Sequence, residues 1–174
     1  MTETFIETPA EPEGSRLQIF AAILLGIAAT LTAVSAYQAA LLDGEALQGS
    51  SESSQALSDA NYQYSLANQI FTGDQQLFVQ YATSAQSGDA DLTEYLTTLM
   101  RPELNAAVLW WQEDEEAITP FEDIEGNPYA IDELDRGEQL SADSDRLFDE
   151  AVAADEKGDK YELASVFLAV ALFF

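Results

Sequence analysis

The sequence predicts an all-α fold, on three observations. Two apolar helices, Leu17 to about Leu42 and Leu163 to Phe174, bracket an acidic middle. Apolar residues in that middle recur at steps of three and four, the spacing of amphipathic helices. No stretch alternates apolar and polar residues as a half-buried strand would. The expected architecture is an antiparallel helical hairpin or small bundle continuous with two transmembrane helices, the second of them truncated.

A helix needs about 20 apolar residues to cross roughly 30 Å of hydrocarbon. Residues 17–42 meet that requirement, with Gln18 and Gln38 as their only strongly polar members, and form the expected transmembrane helix. The apolar run from Leu163 covers about 18 Å at 1.5 Å per residue. That is too short to span, so residues 161–174 read as the start of a second crossing. Residues 1–16 read as a disordered acidic tail, with Pro9, Pro12, Gly14, four glutamates and no periodicity. A cleaved signal peptide is the competing reading, with Val34-Ser35-Ala36 as the small-residue site. Against it stand the acidic tail and an apolar region longer than the 7–15 residues typical of such a segment. The positive-inside rule decides little here, since Arg16 before the first crossing nearly balances Lys157 and Lys160 before the second. The expected arrangement has the N-terminus inside and the loop domain extracytoplasmic.

Within the first apolar helix, Ala22, Gly26, Ala29, Ala33, Ala36 and Ala40 fall along one face. Small residues let membrane helices approach closely. This stripe is therefore the expected helix-packing face, against the second helix or a second copy; an alanine-rich segment with no chosen face is the plainer alternative.

Residues 43–160 form the expected acidic helical loop domain. Ala56, Ala60, Tyr64, Ala67, Phe71, Phe78, Tyr81 and Ala85 keep helical phase across Gly73, with Asp74 in the step between the two phenylalanines. The first helix is thus expected to continue outward as one rod, with Gly73 as a possible kink, until Gly88-Asp89 ends it. Asp91 is a candidate cap for a short helix carrying Leu92, Tyr95, Leu96 and Leu99. Pro102 suits the first turn of another, with Leu104, Ala107, Val108 and Trp111 on one side. Ile118–Tyr129 holds Pro120, Gly126 and Pro128 and reads as an ordered loop. A last amphipathic helix places Leu134, Leu140, Leu147, Phe148, Ala151 and Val152 inward, and Gly158-Asp159 is expected to punctuate it.

Composition narrows function mainly by exclusion. The 174 residues carry 32 acidic and 6 basic side chains, a formal charge of -26, no His and no Cys. Without histidine the usual general base and commonest metal ligand are missing. Without cysteine there is no thiolate chemistry and no disulfide. Nucleic acid is not an expected partner, because phosphate binding relies on Lys and Arg to displace counterions. Self-repulsion of this size destabilises a compact state in dilute salt, whereas molar salt shortens the screening length to about 3 Å. A halophilic setting is the preferred explanation of the charge, and a cationic partner the alternative.

Several landmarks occur in order: Ser35-Ala36-Tyr37-Gln38-Ala39-Ala40, Arg101-Pro102-Glu103-Leu104, Trp110-Trp111, Thr119-Pro120-Phe121, and Gly158-Asp159-Lys160-Tyr161 followed by Leu163-Ala164-Ser165-Val166-Phe167. In these the chain resembles a group of uncharacterised prokaryotic membrane proteins, of haloarchaeal type, with a membrane helix, a helical loop domain and further membrane helices. The resemblance covers most of the chain from Ser35 onward. It implies at least one more crossing and brings no activity or catalytic residue.

Trp110 and Trp111 point about 100° apart on a helix, so one can fill the core while the other meets solvent, lipid or a partner. Together with Phe121, expected to anchor a folded-back loop, they are the candidate partner surface; core packing is the plainer reading. The acidic runs Glu113–Glu116, Glu122-Asp123-Glu125 and Asp143/Asp145 offer oxygen ligands of the kind Ca²⁺ and Mg²⁺ prefer. None has an EF-hand layout, and a solvated face explains them. No Gly-x-Ser-x-Gly elbow and no phosphate-cradling Gly-x4-Gly-Lys-Ser/Thr loop is present. No catalytic residue, cofactor or metal site is therefore assigned. The expected protein is a non-catalytic integral membrane protein whose partners are the lipid bilayer and either copies of itself or other membrane subunits. The competing readings are a sensory input domain relaying ligand binding across the membrane, and a channel or transporter subunit.

Overall fold

The structure, a computed structural model, describes residues 14–114 and 117–173. The expected disordered tail falls largely on residues 1–13, and Glu115, Glu116 and Phe174 likewise lie outside the described residues. Among the described residues there are four helices and no strand: α1 (Gly14–Ser87), α2 (Ala90–Leu99), α3 (Pro102–Glu113) and α4 (Asp132–Phe173). They divide into two compact units. One comprises the described residues up to Ser50 together with those from Phe148 onward; the other is Ser51–Leu147.

Helix α1 is long because nothing in its sequence stops it. No proline occurs between Pro12 and Pro102, and Gly26, Gly44, Gly49 and Gly73 each cost only about 1 kcal/mol relative to alanine. The helix runs unbroken through Gly73. It ends where Gly88 takes a φ of +76°. The Gly88 amide donates to the Ala85 carbonyl at 3.2 Å and the Asp89 amide to the Ser84 carbonyl at 3.1 Å. That pair is the Schellman arrangement, which needs a left-handed residue and therefore favours glycine.

The cap of α2 is Asp89 rather than Asp91. The Asp89 carboxylate accepts from the Leu92 amide at 3.1 Å, while Asp91 sits inside the first turn. With α1 closed at Gly88, Asp89 is the non-helical residue at the helix start (φ -82°, ψ 84°), so it takes the capping role. Arg101, ahead of Pro102, is held extended (φ -65°, ψ 158°), and the chain breaks between α2 and α3 at this point. The proline ring disfavours helical backbone in the residue before it, and Pro102 itself opens α3.

The unit Ser51–Leu147 is built around Phe78, Tyr81, Leu96, Met100, Leu104 and Val108. Leu77, Ala82, Trp111, Phe121 and Tyr129 pack on that core. Its stretch of α4 lies along α1 through small residues. Ser53 and Ser144 exchange hydroxyl-to-carbonyl hydrogen bonds, both 2.9 Å, with their hydroxyl oxygens 3.1 Å apart. Tyr64 lies over Gly137, where an added Cβ would come within 2.7 Å of the ring.

In the other unit the approach is equally close. A Cβ on Gly158 would meet Asp43 Oδ1 at 2.9 Å and Leu42 Cβ at 3.5 Å. Gly158-Asp159 therefore does not punctuate α4: the helix continues through it, and Gly158 is buried. Glycine is used here for proximity rather than as a stop.

The inward line of α4 also differs from the expected one. Leu134, Phe148 and Val152 are exposed, Leu140 and Leu147 are half-buried, and Ala151 is buried as expected. The buried positions are Gly137, Ser144, Ala151 and Gly158, at steps of seven, with Ala154 beside them. On α1 the buried series Ala39, Ala46, Ser53, Ala60, Ala67, Asp74 and Tyr81 keeps the same step. A seven-residue repeat is the seam of a coiled coil, here written largely in residues small enough for the backbones to come close.

Helix α1 also contains the one window, among the described residues, long and apolar enough to cross a membrane. Its mean hydropathy is 2.2 and none of it is buried. Inside that region Thr30 and Thr32 donate their hydroxyls back to the Gly26 and Ala28 carbonyls, each at 2.8 Å. This pairs both threonine hydroxyl protons on an otherwise apolar surface.

Candidate functional site

The most ordered polar chemistry lies at the corner before α3. Extended backbone at Arg101 directs its side chain toward Asp74 of α1 and the loop that follows α3. Arg101 Nε donates to Asp74 Oδ2 at 2.6 Å, Nη1 to Glu103 Oε2 at 3.0 Å, and Nη2 to the Ala130 carbonyl at 2.7 Å. The Tyr129 hydroxyl donates to the same Asp74 oxygen at 3.0 Å, and the guanidinium sits 5.1 Å from the Tyr129 ring centroid. Asp74 is buried at 7 % exposure, in a seam position otherwise held mostly by small residues. It is tolerated there because both neighbours donate to it.

Protonation follows from this packing. Burial pushes the Tyr129 phenol up to about 12, with the Asp74 carboxylate adding to the shift and Arg101 opposing it. Burial works against charge on Arg101, but its bonds to Asp74 and Tyr129 outweigh that and raise its pKa. At neutral pH the cluster is a guanidinium, a carboxylate and a neutral phenol, all mutually engaged. Its chemical capacity is to fasten α1, the α2–α3 corner and the 117–131 loop together; it presents no activated nucleophile.

The loop is knitted by two side chains. Glu122 accepts from the Ile118 and Thr119 amides at 2.8 and 2.7 Å. Asn127 donates to the Pro120 and Glu122 carbonyls at 3.1 and 2.6 Å and accepts from the Tyr129 amide at 3.0 Å. Glu122, which reads in sequence as one more solvated carboxylate, is thus a structural acceptor.

Of the candidate partner residues, Phe121 lies edge-on to Phe71, Phe78 and Tyr129, with centroids at 5.6, 5.5 and 5.0 Å. Trp111 lies edge-on to Phe78 at 5.2 Å. The structure brings both into the aromatic core, where each keeps a half-exposed edge. Trp110 is also half-buried and lies near Gly126, at which an added Cβ would be 3.8 Å from the indole nitrogen. The exposed apolar side chains nearby in sequence are Leu109, Ile118 and Ile124.

The expected packing stripe is not covered within one copy, which bears on its packing against the second helix and not on its packing against a second copy. Ala22, Gly26, Ala29, Ala33, Ala36 and Ala40 are all exposed, and nothing lies within 4 Å of a Cβ on Gly26. The covered face of α1 in that unit passes through Ala28, Thr32, Ser35, Ala39, Leu42 and Ala46. The sequence contains small residues on two adjacent faces, and the seven-residue step picks out the covered one.

Each unit also contains a cleft. Phe71, Tyr129, Ile131, Leu134, Asn68 and Asp135 line one of about 360 Å³ in the unit Ser51–Leu147. Asp43, Asp155, Asp159 and Glu162 are among the lining of one of about 510 Å³ in the other unit. Among the described residues, no three carboxylates, histidines or cysteines are arranged to hold a metal ion. No protein-family model, curated protein or solved structure matches the chain.

Proposed function

We propose that the protein is a membrane-anchored helical interaction module that acts by assembly, with copies of itself or as an accessory subunit of a membrane complex. One observation carries the reading: a single unbroken helix supplies both an exposed apolar window of membrane-crossing length and the long packed face of the unit Ser51–Leu147. The absence of histidine and cysteine and the fully engaged Arg101 cluster support a binding role over a catalytic one. In this reading the end of α4, which exposes Leu163, Val166, Phe167 and Val170, begins a second crossing, and residues 43–160 lie outside the cell. The charge of -26 supports a high-salt setting.

The chain's lack of cysteine makes the test direct. A Ser51→Cys variant in intact cells should react with an impermeant thiol reagent, and the protein should stay with the membrane through alkaline carbonate washing. Release by carbonate would refute the anchored reading. Labelling only after lysis would reverse the orientation. Purification from native membranes at the host's salt then separates self-assembly from a stoichiometric partner.

A sensory reading has one observation of its own. The cleft of about 360 Å³ is lined by Tyr129, which is bonded to Asp74 of α1, so an occupant there would press directly on the long helix. A saturable small-molecule ligand whose binding is lost in Leu134→Trp would favour it.

A further inference from the structure

In a chain with 32 acidic side chains, one exposed face outside the apolar segment 17–42 carries no charge. Residues 60–88 contain a single Asp, Glu, Lys or Arg, Asp74, and it is buried against Arg101. At the chain's 22 % charged content a stretch of that length would hold about six, and soluble surfaces ordinarily mix charge throughout. By contrast, residues 132–162 of α4 carry twelve acidic and four basic side chains. The gap is not explained by burial. Asn61, Ser65, Asn68, Thr72, Gln75, Val79 and Gln86 are all exposed, on the side of α1 turned away from Ala60, Ala67, Asp74 and Tyr81.

We infer that this uncharged face is where a second copy of the chain docks, α1 against α1. The inference rests on the self-associating form of the proposed function and names its surface. Charge selects the occupant. Copies of net charge -26 repel one another over most of their surfaces, and outside the apolar segment 17–42 this is the long face on which they can approach without placing like charges in contact. A cationic partner would find its complement on α4 instead.

The side chains suit self-pairing. Ser65, Thr72, Val79 and Gln86 recur at steps of seven, and Asn68 and Gln75 repeat the step three residues on, the pattern of a coiled-coil seam. Amides both donate and accept, so Asn68 and Gln75 can each bond their own counterparts across a two-fold axis. The Thr72 and Thr83 hydroxyls already donate to the carbonyls of Asn68 and Val79, at 2.8 and 2.7 Å, which leaves their methyl groups for packing. Gly73 adds a recess, with nothing within 4 Å of where its Cβ would be, in a shallow groove that Asn61, Ser65, Gln69 and Gln76 also line.

The face from Asn61 to Gln86 is about 40 Å long and roughly 10 Å wide. Its footprint, about 400 Å² per copy, is half that of a standard interface. Confinement to one membrane raises the effective concentration enough for such a contact to form. It also sets α1 helices parallel, so each residue of the seam meets its own counterpart.

The test uses the full chain in its native membrane. Single variants Ser65→Cys, Thr72→Cys and Val79→Cys should each give a disulfide-linked dimer on mild oxidation. The yield should be at least ten times that of Glu138→Cys or Asp145→Cys, exposed positions on α4. Adding Thr72→Glu to Val79→Cys should cut the dimer at least five-fold while circular dichroism stays unchanged. Equal yields at all five positions, or cross-links from the α1 cysteines to a different protein, would overturn the docking surface. Subunit counting in bilayers separates the two failures. Oligomers without α1 cross-links refute this face alone, and monomers refute self-association with it.

Discussion

The Arg101 cluster is the strongest single wager in the fold. Replacing Arg101 by methionine keeps the apolar stem and removes the guanidinium, leaving the Asp74 carboxylate in a site where its side chain is only 9 % exposed. Breaking a buried pair on one side costs about 3–5 kcal/mol, because the remaining charge stays desolvated. The lower end applies here, since Tyr129 still donates to Asp74 and the Arg101 side chain is itself 24 % exposed. Loss of the donor to the Ala130 carbonyl is part of the same cost. Molar salt does not rescue the variant, because the cost is desolvation of the stranded Asp74 carboxylate, which bulk ions do not reach.

A loss of about 3 kcal/mol lowers the melting temperature of a chain this size by about 6–12 °C. The assay is thermal unfolding of the full chain in mild detergent at molar KCl, followed by far-ultraviolet circular dichroism and by tryptophan fluorescence, because Trp111 stands against Phe78 beside this cluster. Adding Asp74→Leu to Arg101→Met removes the stranded charge and should recover at least half of the loss. A shift below about 2 °C in the single variant, or a double variant no better than the single one, would refute the argument.

Tyr129 sets a pH window. Its folded-state pKa of about 12 lies above the unfolded value of 10.0, so the native state holds the proton longer. Stability should therefore be unaffected below about pH 10 and fall between pH 10 and 12, by on the order of 1 kcal/mol once partial solvent screening is allowed for; Tyr129→Phe should flatten that part of the curve. Gly137→Ala should destabilise by about 1–3 kcal/mol despite its better helix propensity, because Tyr64 must swing away, and Tyr64→Ala should relieve it in the double variant. Raising KCl from low to molar concentration should increase the helicity of the full chain; a flat response would count against the halophilic reading of its charge.

The legible parts of the fold were those governed by local chemistry. Helical phase carried α1 across Gly73, Pro102 opened α3, and Phe121 anchored the loop, each from a few neighbouring residues. The choice between Asp89 and Asp91 was harder, since both are capable caps and only the turn at Gly88 decides it. The α1–α4 seam escaped notice because its alanines, serines and glycines carry little hydropathy, and Gly158 looked like a stop. The seven-residue step through Gly137, Ser144, Ala151 and Gly158 was the available signal. Arg101 and Asp74 lie 27 residues apart, and no pattern joins them until α1 and the α2–α3 corner have packed.

Charge distribution bears on what the acidity is for. An acidic surface suited to high salt works by hydration, and a purely solvent-driven requirement applies to every exposed face alike. The acids instead crowd α4 and spare the exposed side of residues 60–88, although both are solvent-facing in one copy. Repulsion within the chain does not produce that gap, because spreading the same carboxylates onto α1 would lower their mutual repulsion. A contact that excludes water does produce it, since each buried unpaired carboxylate would cost several kcal/mol. On the proposed readings the two observations have separate causes: salt would account for the acids on α4, and assembly for their scarcity in residues 60–88 of α1. A single charge introduced at Thr72 should therefore disturb association, whereas one more acid on α4 should disturb nothing.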